Sequence, residues 1–457
     1  MCFGMTRGEI LGRFDVNYWR LTPLLAHKFA APAFPVAAIG DLVDLVQYGC
    51  STLSKTEPVG VPILRMNNLQ KEGWDLSDLK YVEMGTVELD RYRLRRGDLL
   101  FNRTNSKELV GKCEVFSEAG DWVFASYLIR VRFDTDKVLP RFAADFLNTK
   151  TGRLQIDRVS RQIIGMTNIN AEELKEIILP LPTLAQQQTF VDAMNAARDG
   201  RARQLAEADA LLAGLDSFLL DALGLKLPPK PKTVFALRGG DLTTALNPER
   251  YRGMQLEKAL PFETQISDVA DWIEKRATPS REGAKDDWNW IRIDDLPSQP
   301  WQVEKVRTEK GEDIIGAFFE VQENDILVAR LGPTILNAKF VLCPKLARRT
   351  VASTEFLVLR CREGWQPNAV LWLLRTKLYR HIMYARSRGA TPSRFRLDGD
   401  DLLSIPFPAM DKVLQDHFSA EVVKRQHEAR RLRAEAERAW NAAKVDFEAQ
   451  LLGVNAT

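Results

Sequence analysis

The chain has 457 residues, 45% hydrophobic and 27% charged, with a formal net charge of +3. That is the balance of an ordinary folded protein with room for several domains, and a charge so near zero does not by itself point to nucleic acid, which needs basic residues gathered on one surface. No apolar run reaches the roughly 18 to 20 uncharged residues of a membrane span; even LLAGLDSFLLDAL is broken by Asp216 and Asp221.

The start, MCFGMTRGEILGRFD, carries charges where a secretion signal has its apolar core. Cys2, Cys50, Cys113, Cys343 and Cys361 are odd in number and lack a CxxC spacing. A reducing cytoplasm is expected, with neither a disulfide framework nor a zinc site.

In chain order, CSTLSKTE is a polar loop carrying Lys55, and PILRMNNL brings Arg65, Asn67 and Asn68. DLLFNR, KCEVF and FASYLIRVRF are β-branched and aromatic, bounded by Gly, Asp and Asn, and read as strands. Between the first two, FNRTNSKELVGK packs Asn102, Arg103, Thr104, Asn105 and Lys107 into one loop, with Lys112 following. RFAADFLNTKTGRLQIDRV is helical by period and length. VSRQIIGMTN then sets Arg161, Thr167 and Asn168 about a glycine turn.

ILPLPTLAQQQTFVDAM follows. Pro180 and Pro182 stop strand pairing and hold the chain extended, and Thr183 is the expected N-cap of a long helix. In that helix Leu205, Ala208, Leu212, Leu215, Leu219 and Ala222 alternate by three and four, the seam of a coiled coil. Met194 continues the seam upstream, where Arg198 and Arg201 interrupt it. GLKLPPKPKTVFALRGG ends the helix and reads as a linker.

Beyond the linker the chain repeats itself. RRGDLLFNR lies over VQENDILVAR, so Asp98 meets Asp325 (325 − 98 = 227) and Arg103 meets Arg330. At the same offset Arg65 meets Arg292, Lys112 meets Lys339, Pro140 meets Pro367, Thr149 meets Thr376 and Arg161 meets Arg388. With small shifts LPLP meets IPFP (Ile405 to Pro408) and Phe190 meets Phe418. A period so long is a tandem duplication and not a solenoid: two modules of roughly 180 residues of mixed structure, each closed by a helix. The second helix carries Phe418, Val422, Ala429, Leu432, Ala436, Trp440, Ala443, Phe447 and Leu451 as its stripe. Each helix, at ~40 residues, spans about 60 Å. Two such stripes most simply bury each other antiparallel; the plainer reading is a bundle inside one domain.

Nothing supplies a catalytic constellation. His27, His381, His417 and His427 form no HxxxH or HExxH, and no phosphate-binding or dinucleotide-binding glycine loop is present. What recurs in both modules is planar, cationic and amide chemistry: RATPSREG carries Arg281 opposite the Lys55 loop, and ARSRGATPSRFR carries Arg386, Arg388, Arg394 and Arg396 opposite VSRQIIGMTN. Arg and Lys reach guanine or phosphate, Asn pairs with adenine, and Ser and Thr reach phosphate oxygens. Taken alone each loop is ordinary solvated surface; recurrence singles out the shared cations.

LPLPTLAQQQTFVDAM resembles the P-L-P-P-L-x-E-Q-Q motif that closes a target-recognition domain in specificity (S) subunits of type I restriction-modification systems. GDLLFNR is similar to their GDIL strand, PILRMNNL to their P-x-I-R segment, and RFDVNYW and LNPERYR to the R-L-D-P-x-Y segment opening each domain. Gln186 stands where Glu is usual, and the second copy has drifted to AMDKVLQDHF.

The resemblance implies an α/β (α+β) fold of two similar target-recognition domains, 1–182 and 241–408. Each is followed by a long helix, 183–224 and 409–453, with a linker at 225–240, and the helices pair as an antiparallel coiled coil. It further implies a subunit with no catalysis and no cofactor of its own. Double-stranded DNA would be read as two different half-sites by the residues named above. Methyltransferase (M) subunits, two of them, and restriction (R) subunits would dock on a spacer built on Phe190, Leu205, Leu212, Leu215, Leu219, Phe418, Leu432, Trp440 and Phe447. Two other readings are the specificity half of a fused methyltransferase or nuclease, and a coiled-coil protein that binds proteins instead of DNA.

Overall fold

The computed structural model describes residues 16–70, 73–106, 109–163, 166–225, 248–298, 300 and 302–453. Cys2, Lys107, Gly239, Gly240 and nearly all of the expected linker lie outside them. The chain forms two compact units, Met1–Arg203 with Glu435–Thr457, and Gln204–Ala434. The division falls within the two long helices, Leu184–Ala222 and Lys412–Leu452, so each unit holds a part of both.

The first unit is built on a four-stranded antiparallel sheet in the order Val43–Tyr48, Leu128–Phe133, Leu99–Asn102, Cys113–Val115. Its central strand is buried at all four positions because both faces are covered. Leu99 and Phe101 point to a core shared with the helix Pro140–Leu147, while Leu100 packs with Phe116 and Phe124 on the other side. The second unit repeats the arrangement with Ala270–Trp272, Phe356–Cys361, Ile326–Ala329 and Phe340–Leu342 in the same order and direction. The register repeats as well: Leu99 faces Val115 and Val131, and Ile326 faces Leu342 and Leu359.

The duplication extends to a parallel pair beside each sheet. Val123–Phe124 lies along Val61–Leu64, and Thr350–Ala352 along Asp287–Ile291. Here the modules diverge. Among the described residues this second sheet has three strands in the first unit and five in the second.

The segment RFAADFLNTKTGRLQIDRV, read as one helical stretch, is broken by a threonine, and so is its counterpart in the second unit. Pro140–Leu147 and Lys150–Val159 meet at Thr149, whose hydroxyl accepts the Gly152 N–H at 3.1 Å and donates to the Phe146 carbonyl at 2.7 Å. Thr376 does the same between Pro367–Arg375 and Lys377–Arg386. Pro140 and Pro367 both sit at the first helical position, where proline costs no hydrogen bond.

The expected N-cap at the first long helix is present. Thr183 and Gln186 cap reciprocally, the Gln186 N–H reaching the Thr183 hydroxyl at 3.4 Å and the Gln186 side chain accepting the Thr183 N–H at 3.1 Å. The next glutamine does more. Gln187 is fully buried; its amide donates to the carbonyls of Pro182 and Lys137 at 2.9 and 3.0 Å and accepts the Leu139 N–H at 2.8 Å. It clamps the helix start onto the turn that opens Pro140–Leu147. Gln415 repeats this, donating to the Met410 carbonyl at 2.9 Å and accepting the Gln366 N–H at 2.7 Å, with Asp411 as the N-cap.

These equivalences correct the proline alignment. Leu179 answers to Phe407 and Pro180 to Pro408, because Ile177 and Ile405 accept the same strand-edge bond, from Ile39 and Ile266. The look of LPLP beside IPFP had suggested a register two residues off.

The helix parts pack antiparallel within each unit. In the first, Phe142, Phe190 and Phe447 form a three-ring cluster with centroids 5.6 to 6.2 Å apart. The arginines that interrupt the seam have partners there: Arg198 reaches Asp145 at 2.7 Å and lies over Trp440, and Arg201 reaches Glu437 at 2.6 Å. In the second, Phe218 meets Phe418 at 5.9 Å, and Ala208 packs with Ala429 and Leu432. Leu215 and Leu219 are buried, Leu205 and Leu212 half-buried, and Ala222, placed on the seam from sequence, is exposed where the helix ends.

Gln187→Ala leaves the Leu139 N–H without its partner and should lower unfolding stability by about 1 to 3 kcal/mol in urea titration, with Gln415→Ala alike. Exposed Gln188→Ala should change it little; equal losses at all three positions would refute the clamp.

Candidate nucleic-acid interface

The central strand of each unit starts on a buried carboxylate. Asp98, 1% exposed, accepts the Arg95 N–H at 2.9 Å and a two-pronged bond from Arg132 at 2.8 Å through both Nε and a terminal nitrogen. Asp325, also 1% exposed, accepts the Gln322 N–H at 2.9 Å and both prongs of Arg360 at 2.8 and 2.9 Å. The aspartate thus closes the turn before the strand and ties it to its neighbour. Such forked, charge-assisted bonds are geometrically demanding, so the strand that follows has one register.

At the far end of that strand stand Arg103 and Arg330. The Arg103 N–H donates to the Tyr127 carbonyl at 3.1 Å, and its own carbonyl accepts the Ile169 N–H at 2.9 Å. Arg330 donates to the Glu355 carbonyl at 3.0 Å and accepts from Leu397 at 2.8 Å. The two backbones are held alike. The Arg103 guanidinium lies 4.7 Å from the Tyr48 ring centroid, and Tyr48 is itself held by accepting the Ala171 N–H at 2.9 Å. Among the described residues, the Arg330 guanidinium has a long contact of 3.9 Å to Asp398, and Nε of both arginines is shielded with no hydrogen-bond partner.

Next to each arginine a second chain segment folds back. In the first unit Arg161–Ile163 pairs with Met166–Asn168, which pairs with Thr104–Asn105. In the second, Arg388 pairs with Arg396 and Arg396 with Leu331. Arg161 and Arg388 therefore lie two ladder spacings, about 10 Å, from the strand-end arginine's segment. Arg161 is anchored through Nε, which donates to Glu173 at 2.5 Å, while its side chain stays 61% exposed. Glu173 is buried and already engaged in a capping box with Asn170, which fixes it as an anchor. Arg388 reaches Asp401 at 2.9 Å and Arg396 reaches Glu355 at 2.6 Å, both remaining largely exposed. Arg394 is exposed on the same return segment, and Arg281 is exposed on the short helix Pro279–Glu282.

Several expected reading groups turn out to be architecture. Asn68 is buried and closes its own loop, accepting the Arg65 N–H at 3.0 Å and donating to the carbonyls of Asp75 and Asp78. Asn102 is buried and donates to the Leu109 carbonyl at 3.3 Å. Thr104 and Thr167 are buried, and the Thr104 hydroxyl donates to Asn168. Arg386 is spent on Glu257, Ser404 and the Asp401 carbonyl, and Lys339 donates to the Ile293 carbonyl at 3.2 Å. These side chains are occupied because their loops carry backbone groups that need partners.

Arg65 and Arg292, aligned by sequence, hold nearby carboxylates, Asp78 at 2.9 Å and Asp294 at 3.2 Å; Arg292 also covers the Trp290 ring. Lys55 pairs with Glu83 on open surface. Asn67 is exposed, Asn105 reaches toward the Met66 sulfur, and Lys112 lines a cavity near Arg141 and Trp440 instead of the hairpin face. Tyr48, Tyr127 and Glu355 were not among the residues that the sequence singled out. Tyr127 is 50% exposed at the place Glu355 holds in the second unit; its signal was an aromatic at the edge of a predicted strand. Burial pushes the Cys113, Cys343 and Cys361 thiols up to about 12, which leaves them protonated and unreactive. Among the described residues no helix is long and apolar enough to cross a membrane.

Residues 34–201 match the family model described as type I restriction modification DNA specificity domain. The Escherichia coli type I restriction enzyme EcoKI specificity subunit is 30% identical over 146 residues, 31% of each chain. The StySPI specificity subunit of Salmonella potsdam is 26% identical over 156 residues, 33% of this chain and 34% of its own. The matched stretches thus span about a third of these relatives' length. A solved chain from work on complex assembly and conformational transition of the type I R-M system superposes with a TM-score of 0.50 at 12% identity, covering 92% of this chain and 97% of its own. At that identity the likeness is one of fold.

Arg161→Ala and Arg388→Ala should each weaken duplex DNA binding at fixed salt by roughly tenfold and flatten its salt dependence, and Arg161→Ala should also lower the unfolding midpoint because buried Glu173 loses its cation. Wild-type affinity in both would remove the hairpin from the interface.

Proposed function

We propose, from the match of residues 34–201 to the type I restriction modification DNA specificity domain, that the chain is the non-catalytic DNA-reading subunit of such a complex. Residues 1–182 and 241–408 act as two target-recognition domains, each reading one half of a bipartite site. The helices 183–224 and 409–453, past the linker 225–240, set the distance between halves and dock methyltransferase subunits, which carry the methyl-transfer chemistry. A restriction subunit joins the same assembly in the cytoplasm.

One observation carries this reading: two independent modules present an arginine at the same strand end, Arg103 and Arg330, beside a return segment bearing another, Arg161 and Arg388. Matching cations at matching depth are what two readers of one polymer require, since phosphate contacts position a module before base contacts specify it. The modules differ around that shared frame. Tyr127 and Asn168 in the first stand where Glu355 and Arg396 stand in the second. A glutamate accepts from the cytosine amino group and an arginine donates to guanine, whereas tyrosine and asparagine offer other patterns. The two half-sites therefore differ. The formal charge of +3 is no obstacle, because partner subunits closing round the duplex supply phosphate contacts.

Mapping methylated bases in a host with and without this gene should reveal one split, asymmetric site that vanishes with the gene. Leu215→Asp, placing a charge in the buried seam, should abolish methylation by breaking partner docking and helix pairing together. A symmetric site, or unchanged methylation in the Leu215 variant, would contradict the reading.

A further inference from the structure

The return segment of the second unit, ARSRGATPSRFR, carries four arginines, and the fold leaves them unequal freedom. Arg386 is spent on Glu257, Ser404 and the Asp401 carbonyl. Arg394 is exposed and has no carboxylate partner among the described residues. Arg388 reaches Asp401 at 2.9 Å. Arg396 is placed more tightly than either of these two. Its N–H donates to the Arg388 carbonyl at 2.8 Å and its carbonyl accepts the Arg388 N–H at 2.9 Å, while on its other side it is bridged to Leu331, next to Arg330. Its Nη2 donates to Glu355 Oε1 at 2.6 Å. Glu355 is fixed in turn: its N–H donates to the Ser353 hydroxyl at 3.3 Å, and its carbonyl accepts the Arg330 N–H at 3.0 Å.

Residues directly opposite in a ladder project from the same face, where like charges repel. Arg388 and Arg396 are such a pair, yet each has a carboxylate of its own, Asp401 and Glu355, and their side chains stay 73% and 54% exposed. Two open cations held side by side suit acceptors brought from outside.

The first unit separates their roles. Arg161 occupies the rung of Arg388, and Asn168 the rung of Arg396. One rung is the same in both units and the other differs. A phosphate is the same at every sequence, whereas a base-edge contact must change with the base. Of the two groups that distinguish this unit from the first, Glu355 and Arg396, the arginine is the one open to a base. Glu355 Oε1 is held by Arg396, and Oε2 is shielded without a hydrogen-bond partner. Nε and Nη1 of Arg396 have no partner among the described residues. A guanidinium tethered by one nitrogen is pre-oriented to offer adjacent N–H groups to the two acceptors of guanine, O6 and N7.

We propose that Arg396 is the guanine-reading residue of the second half-site and that Glu355 is the positioning residue that aims it, with Arg388 on the neighbouring phosphate. The assignment rests on the DNA-reading function proposed above.

Mapping of methylated sites in the host, with wild type and variants of the intact chain, is the readout. The wild-type site should hold an invariant guanine in one half. Arg396→Ala should make that position degenerate, discrimination falling roughly tenfold or more, with the other half and the spacing unchanged. Arg396→Gln should turn the preference there to adenine, and decides alone if the alanine variant fails to fold. Glu355→Ala should loosen the same position, and Glu355→Gln, whose amide oxygen still accepts from Arg396, should restore most of the preference. A lowered unfolding midpoint in Glu355→Ala with the guanine intact would make Glu355 merely structural and overturn its part. An intact guanine in both Arg396 variants, or a change from cytosine to adenine in Glu355→Gln, would overturn the assignment and leave the DNA-reading function standing. No methylated site with wild type would overturn both.

Discussion

The proposed recognition face of each module depends on a buried carboxylate. Asp98 and Asp325 each take a backbone N–H from the preceding turn and both prongs of an arginine from the neighbouring strand. That fixes where the central strand begins, and a strand so short and fully buried transmits its register to its other end. Arg103 and Arg330 stand at that end. The anchor is costly to break, since removing one partner of a buried pair typically costs about 3 to 5 kcal/mol. The module therefore holds its backbone still and leaves variation to the side chains and loops beyond it.

Much of this was legible in the sequence where chemistry leaves few substitutes. The aspartate before the strand, the threonine between two helices and the proline at a helix start recur at one offset because each meets a particular backbone need. Arg161 and Arg388 align at the same offset. Polar loop residues were harder. Asn68 and Asn102 look like reading groups on paper, yet a loop must satisfy its own carbonyls and amides, and these side chains do so. Spacing alone does not tell an asparagine that faces outward from one that closes its loop. The prolines misled for a related reason: two alternating prolines look alike in any frame, and only strand pairing fixes which answers which.

The joint between module and helix shows how a run of three glutamines divides its work. Gln186 completes the cap, Gln187 is buried and clamps the helix to the neighbouring turn, and Gln188 stays on the surface beside Asp192. In the second unit the cap residue has changed from Thr183 to Asp411, but the buried glutamine persists as Gln415. The interchangeable function drifted and the space-filling one did not.

The central claim is that Arg103 and Arg330 serve equivalent positions on different half-sites. Selection of bound duplexes from a randomised pool, with the chain in complex with its methyltransferase partners, tests it directly when run for Arg103→Gln and Arg330→Gln beside wild type. Each variant should relax sequence preference in one half only, a different half for each, with the spacing unchanged. Relaxation of the same half by both, or of neither, would contradict it.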